Sequence, residues 1–178
     1  MELGCGTGHW SAFFSARGYE VVGIDISERM ITIAKSKNIV RSHFQVIDGH
    51  CLSFANESFD IAAAITTLEF ATDPEGMVAE MARCVRKPGG QMLFGVLNAL
   101  SRYNQERQNE AGGPYALAKL FSPEQLWGLL EPWGQIQMII AGFVPRRGGL
   151  LTLAPICELA GQLVGSQRGA FIAAKVQL

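Results

Sequence analysis

Glu2-Leu3-Gly4-Cys5-Gly6-Thr7-Gly8 stands near the start of the chain, and the reading of this stretch decides the fold. Met1–Leu3 reads as the last residues of a strand that runs into a glycine turn. Glycine at 4, 6 and 8 permits a sharp strand-to-helix turn and lets backbone approach a ligand closely. His9–Arg17 then reads as a helix, with Trp10, Phe13, Phe14 and Arg17 near helical spacing and Gly18 ending it. Its N-terminus offers free N–H groups and the positive end of a dipole. A glycine turn alone is weak evidence for a ligand, because dinucleotide enzymes and purely structural turns share it.

Outward from the turn, strands alternate with helices. Tyr19–Ile24 reads as a buried strand ending at Asp25. Ser27 is a natural N-cap for a helix through Lys35. His43–Ile47 reads as a third strand and Phe59–Ile65 as a fourth, buried on both faces. Asp73-Pro74 opens a helix to about Val85, and Gln91–Leu97 is the fifth strand after the turn Lys87-Pro88-Gly89-Gly90. Asn98–Lys119 is polar and reads as an insertion with a short helix. Ser122-Pro123-Glu124-Gln125 is a capping box. Ile136–Phe143 and Ala170–Val176 complete the strands, with an apolar helical stretch from Leu150 to Val164 between them. This alternation predicts an α/β fold: a doubly wound, mostly parallel sheet with helices on both faces.

Two acids sharpen the glycine turn. Asp25 ends the second strand, where a doubly wound sheet places a crevice suited to a ribose diol. Asp48 ends the third, where a carboxylate can accept from an adenine amino group and Gly49 can offer its N–H.

With these in view, the sequence resembles class I S-adenosylmethionine-dependent methyltransferases, and within them the type 11 small-molecule group. Glu2 to Gly8, Asp25, Asp48-Gly49, Ser58-Phe59-Asp60 and Arg86-Lys87-Pro88-Gly89-Gly90 match the successive motifs. The resemblance runs from Met1 to about Leu97 and continues weakly to Leu178. It implies a Rossmann-like methyltransferase fold in one domain, with residues 1–97 as the cofactor-binding half and 98–119 and 145–168 as substrate-side insertions. It also implies S-adenosyl-L-methionine as cofactor. Glu2, Gly4, Cys5, Gly6 and Gly8 would cradle its methionine part, and Asp25 the ribose hydroxyls. Ile26 and Met30 would pack on adenine, with Asp48, Gly49 and His50 at its edge. Ile65 and Thr66 would pass near the sulfonium.

Other residues have two readings. Glu69 is a base near substrate or a carboxylate suited to a helix start, and we favour the second. His9 and His50 lie near the cofactor motifs, but neither spacing forms a triad or metal cluster, and local hydrogen bonding is favoured. Arg102, Arg107, Arg146 and Arg147 are an anion site or solvated surface. Tyr103 and Tyr115 shape a pocket or anchor a loop. Leu150–Val164 is a lid, a homodimer contact or an ordinary packed helix.

Composition narrows the class. Apolar residues make up 48% of 178 and charged residues 17%, so the chain has ample surface to bury and is not disordered. A net charge of −1 gives no field for a nucleic-acid backbone. Four dispersed cysteines form no CxxC pair, which argues against zinc or a disulfide scaffold. No apolar run is long enough for a membrane span and no leader is read, so a cytoplasmic protein is expected. DNA amino-methylating, protein-arginine and magnesium-dependent catechol subclasses lack their signatures here. The expected partner is a small-molecule acceptor, without a metal.

Two rivals stand beside methyl transfer. One is a nicotinamide-dependent oxidoreductase, although its usual Gly-x-Gly-x-x-Gly differs from glycines at 4, 6 and 8. The other is a non-catalytic or truncated binding relative. Only three residues precede Gly4, against about five or six in a typical strand. The chain is therefore expected to lack the N-terminal part of its domain.

Overall fold

The computed structural model describes residues 1–110, 112–113, 115–143 and 154–178. Seven strands form one sheet in the order β3-β2-β1-β4-β5-β7-β6. They are β1 (Glu2–Leu3), β2 (Val21–Asp25), β3 (Ser42–Val46), β4 (Ile61–Ile65), β5 (Gln91–Leu97), β6 (Gln135–Ala141) and β7 (Phe171–Gln177). The first five are parallel, and β7 runs antiparallel between β5 and β6. The helices are α1 (His9–Ser15), α2 (Glu28–Ser36), α3 (Pro74–Cys84), α4 (Arg102–Gln108), α5 (Pro123–Leu130) and α6 (Ala154–Leu163). The doubly wound, mostly parallel α/β sheet expected from the alternation is the one observed.

Local chemistry sets the helix starts. The Ser27 hydroxyl accepts from Met30 N at 3.3 Å, and Asp73 Oδ1 accepts from Gly76 N at 3.0 Å. At α5 the capping box is complete: Ser122 Oγ accepts from Gln125 N, and Gln125 Oε1 accepts from Ser122 N. Each satisfies N–H groups that have no partner within the first helical turn.

Strand boundaries shift by one or two residues, and two strand starts show why: β3, β6 and β7 run Ser42–Val46, Gln135–Ala141 and Phe171–Gln177, while β2 and β4 start late. Strand β2 begins at Val21, because Tyr19 is half exposed and its N–H returns to Phe14 O in the turn after α1. Strand β4 begins at Ile61. Phe59 makes only an isolated bridge to Val85, and Asp60 turns outward to pair with Arg86 at 2.5 Å. The alanines 62–64 of β4 are all buried, so this strand is covered on both faces as expected.

The main core joins Leu3, Ile24, Met92, Phe94, Val96 and Ile172 of the sheet to Val78 and Met81 of α3 and Leu126 and Leu130 of α5. A smaller cluster joins Ile31 and Ala34 of α2 to Phe44 and Cys5. Strand β1 is only two residues long, yet it pairs with β2 on one side and β4 on the other. The strand order reverses here, and in open α/β sheets such a point leaves a crevice beyond the carboxyl ends of the strands. No helix among the described residues is long and apolar enough to cross a membrane.

Candidate functional site

The crevice is a cleft with two adjoining lobes that share Gly4, Asp25, Thr66 and Phe70. One lobe, about 360 Å³, is lined by Ile26, Ile47, Asp48, Gly49, His50 and Met77 among others. The other, about 550 Å³, is lined by Glu2, Cys5, Gly6, Trp10, Met30 and Ile65 among others. Twelve of the thirteen residues expected at the site therefore meet here. Gly8 does not. It sits at φ +80°, and a Cβ there would press on Ile39 and Phe44, so it serves the packing beneath the loop.

The loop after β1 is built against the end of β4. Gly4 has φ +67°, and a Cβ would lie 2.4 Å from the Thr67 hydroxyl. Only glycine fits both that backbone and that space. Thr67 Oγ1 in turn lies 3.2 Å from Leu3 O and 3.1 Å from Ile65 O, so it joins the ends of β1 and β4. Gly6 differs: φ is +51° and nothing lies within 4 Å of where a Cβ would be. The loop crest is open to the cleft. Thr66 holds a positive φ of 50°, uncommon for a β-branched residue, and such outliers gather at ligand sites.

Asp25 clamps the loop. Its Oδ2 accepts from Gly6 N at 2.9 Å and its Oδ1 from Ser27 N at 2.8 Å. Each carboxylate oxygen keeps further lone-pair capacity for a ligand hydroxyl. Ile26 beside it is 71% exposed and Met30 39%, which leaves apolar surface facing the cleft.

At the end of β3, Asp48 Oδ1 accepts from the His50 backbone N–H and from the ring Nδ1. The backbone bond first, then the ring, holds the Asp48 carboxyl below the usual carboxylate range. His50 Nε2 accepts from Asp73 N at 3.3 Å and lies 3.3 Å from the Thr72 hydroxyl. Both ring nitrogens are engaged, so His50 joins β3 to the start of α3, the local hydrogen-bonding role that was favoured. His9 lines the second lobe and meets Trp10 edge to face.

Burial shifts three of the residues weighed above. Glu2, 2% exposed, accepts from the Ser11 hydroxyl. Burial pushes its carboxyl up to about 7 despite that bond. Burial pushes the Cys5 thiol to about 12, which leaves it un-ionised and inert. Glu69 is fully buried in the 3-10 turn Leu68–Phe70. Its Oε1 accepts from Leu97 N at 2.6 Å while Oε2 has no partner among the described residues, and burial raises the carboxyl to about 7. The role is structural, as favoured, but its cause is a bond to the end of β5 rather than a helix dipole.

Sequence reasoning missed Phe70, half exposed and shared by both lobes. A bulky apolar residue just past the fourth strand was its only signal. Arg107 lies on Tyr103 and Tyr115, whereas Arg102 lines a separate surface pocket with Arg168. Arg146, Arg147 and the start of the Leu150–Val164 stretch fall outside the described residues.

A family model described as a methyltransferase domain, type 11, matches residues 1–94. The chain belongs to the methyltransferase domain family. The match spans the glycine turn, Asp25, Asp48 and the whole of β4. An uncharacterised protein of Methanocaldococcus jannaschii is 30% identical over 136 residues, covering 75% of this chain and 62% of that protein. A ubiquinone biosynthesis O-methyltransferase of Aromatoleum aromaticum is 36% identical over 103 residues, 55% of this chain and 43% of that enzyme. The chain thus spans less than two thirds of the length of these curated relatives. Among solved structures, a SAM-dependent methyltransferase of Thermotoga maritima, described as a possible histamine N-methyltransferase, superposes with a TM-score of 0.74. It is 26% identical, and the alignment covers 99% of this chain and 79% of that one. Family and fold imply S-adenosyl-L-methionine as the cofactor of this methyltransferase domain, and the nicotinamide alternative drops out.

Proposed function

We propose that this methyltransferase domain transfers a methyl group from S-adenosylmethionine to a small-molecule acceptor. One observation carries the reading. The glycine loop, Asp25 and Asp48-Gly49 meet on a single cleft at the carboxyl ends of the parallel strands. The cleft fits the cofactor in kind. It offers carboxylates for hydroxyl and amino groups, exposed Ile26, Met30 and Phe70 for a flat ring, and open space over Gly6.

In this reading Asp25 takes the ribose hydroxyls while still holding Gly6. Ile26 and Met30 cover adenine, and Asp48 and Gly49 meet its edge with His50 behind them. Glu2 and the backbone of Gly4, Cys5 and Gly6 face the methionine part, and Ile65 and Thr66 the reacting end. Gly8 supports the loop from below. When bound, the cofactor supplies an electrophilic methyl group on a sulfonium. The chain's own task is to align the acceptor and exclude water. Such positioning is worth about 7–11 kcal/mol of barrier. Glu69 is no base in this reaction, because its carboxyl is buried against Leu97 N.

A cytoplasmic setting belongs to the same reading, supported by four cysteines that remain free thiols. So does a homodimer, supported by Ile156, Leu159 and Leu163, all well exposed on α6. The test of function is transfer of a labelled methyl group from S-adenosylmethionine into a metabolite extract. A labelled small molecule supports the reading. Cofactor binding without any labelled product favours the non-catalytic relative.

A further inference from the structure

We propose that the acceptor end of the cleft carries a carboxylate-recognition site centred on Arg107, which selects an anionic aromatic acceptor. The inference rests on the methyl-transfer reading above and names its substrate class.

The insertion after β5 is tied to the cleft. Lys119 N, at its returning end, donates to Glu69 O at 2.7 Å, so the insertion is stitched to the turn that carries Phe70. The half-exposed Phe70 ring faces both lobes, and the Tyr115 ring lies 6.4 Å from it, tilted by 40°. The Arg107 guanidinium lies over Tyr115, 3.7 Å from its ring centre, and 5.2 Å from the Tyr103 ring. The steps of 6.4 Å and 3.7 Å place the guanidinium no more than about 10 Å from the Phe70 ring. That is the reach of a one- or two-ring aromatic acid.

Arg107 is fixed but unspent. Arg83 shows the contrast: its guanidinium bonds Glu80, Leu52 O, Phe54 O and Asn56. Arg107 lies in neither a side-chain hydrogen bond nor an ion pair among the described residues. Stacking on tyrosine occupies the face of the guanidinium and leaves its N–H edge, which matches a carboxylate bidentately. The lobes themselves carry Asp25 and Asp48. An anionic end is therefore repelled from the cofactor side and held at Arg107, with the ring system lying along Tyr115 and Phe70. Arg102 is placed otherwise: it lines a separate surface pocket with Leu100, Gln105 and Arg168.

The probes are salicylate and indole-3-acetate against their neutral amides, titrated calorimetrically with and without S-adenosylhomocysteine. In the unaltered chain the acids bind at least tenfold more tightly than the amides, as loss of a charge-assisted pair implies. Arg107→Gln abolishes that preference and leaves S-adenosylhomocysteine affinity in place, and Arg107→Lys keeps part of it as a point charge. The inference is overturned if neither acid binds, if acids and amides bind alike, or if Arg107→Gln keeps the preference. Absence of heat with S-adenosylhomocysteine alone marks failure of the cofactor reading, and the acid-to-amide ratio is still read without it.

Discussion

The Asp25 carboxylate at the end of β2 accepts a 2.9 Å hydrogen bond from the backbone N–H of Gly6, nineteen residues earlier. The acid expected to hold the cofactor also holds the loop that cradles it. In the proposed reading, binding and loop order are coupled through this one side chain, which also accepts from Ser27 N at the start of α2.

Asp25→Ala should cost both. Losing the two backbone bonds lowers stability by about 1–3 kcal/mol. Losing the ribose contacts and the ordered loop lowers S-adenosylhomocysteine affinity roughly ten- to a hundredfold or more. Thermal unfolding and calorimetric titration of the same preparation read the two effects. Unchanged affinity in a folded variant removes Asp25 from the site.

Gly4 and Gly6 should separate folding from binding. Gly4→Ala drives a Cβ into Thr67 and strains a positive φ, so the fold is badly destabilised. Gly6→Ala meets no protein atom and pays only backbone strain, about 1–2 kcal/mol. Its methyl group enters the open side of the loop, so affinity falls more than stability does. A Gly6→Ala protein that binds S-adenosylhomocysteine normally places the ligand elsewhere.

Ile26→Ala should weaken cofactor binding several-fold with stability within about 0.5 kcal/mol of the original, because the side chain is 71% exposed without a ligand. Equal affinity, measured by titration, contradicts its place on the adenine face.

Glu2 and Glu69 each lower stability as pH rises from acid to neutral. Burial raises both carboxyls from 4.5 to about 7 in the folded chain. Between about pH 4.5 and about pH 7 the folded state holds protons that the unfolded chain has released. Stability from these groups is full below that window and is lost as pH rises through it. Each contributes on the order of 3 kcal/mol. Glu69→Gln keeps the acceptor for Leu97 N and removes one titration, so the decline of Tm with pH should be roughly halved. An unchanged slope contradicts the burial assignment.

Much of this fold was legible because its signals are local. The Lys87–Gly90 turn and the polar Asn98 bracket β5 at Gln91–Leu97, and Ser27, Asp73 and Ser122 announce helix starts through contacts three residues away. What escaped depends on distant partners. Gly8 owes its glycine to Phe44 in β3, and Glu69 is buried by Leu97, which β4–β5 pairing brings alongside. The stack of Arg107 on Tyr103 and Tyr115 leaves no mark in spacing, because it depends on how the insertion folds back to Glu69.

The central claim is that one cleft, whose glycine loop is held by the Gly6–Asp25 bond, binds the methyl donor. Calorimetric titration of the chain with S-adenosylhomocysteine, and separately with NADH, tests it most directly. Saturable one-to-one binding of S-adenosylhomocysteine, weakened at least tenfold by Asp25→Ala and without heat from NADH, is the predicted result. A folded chain that binds NADH, or that shows no saturable S-adenosylhomocysteine heat, contradicts it.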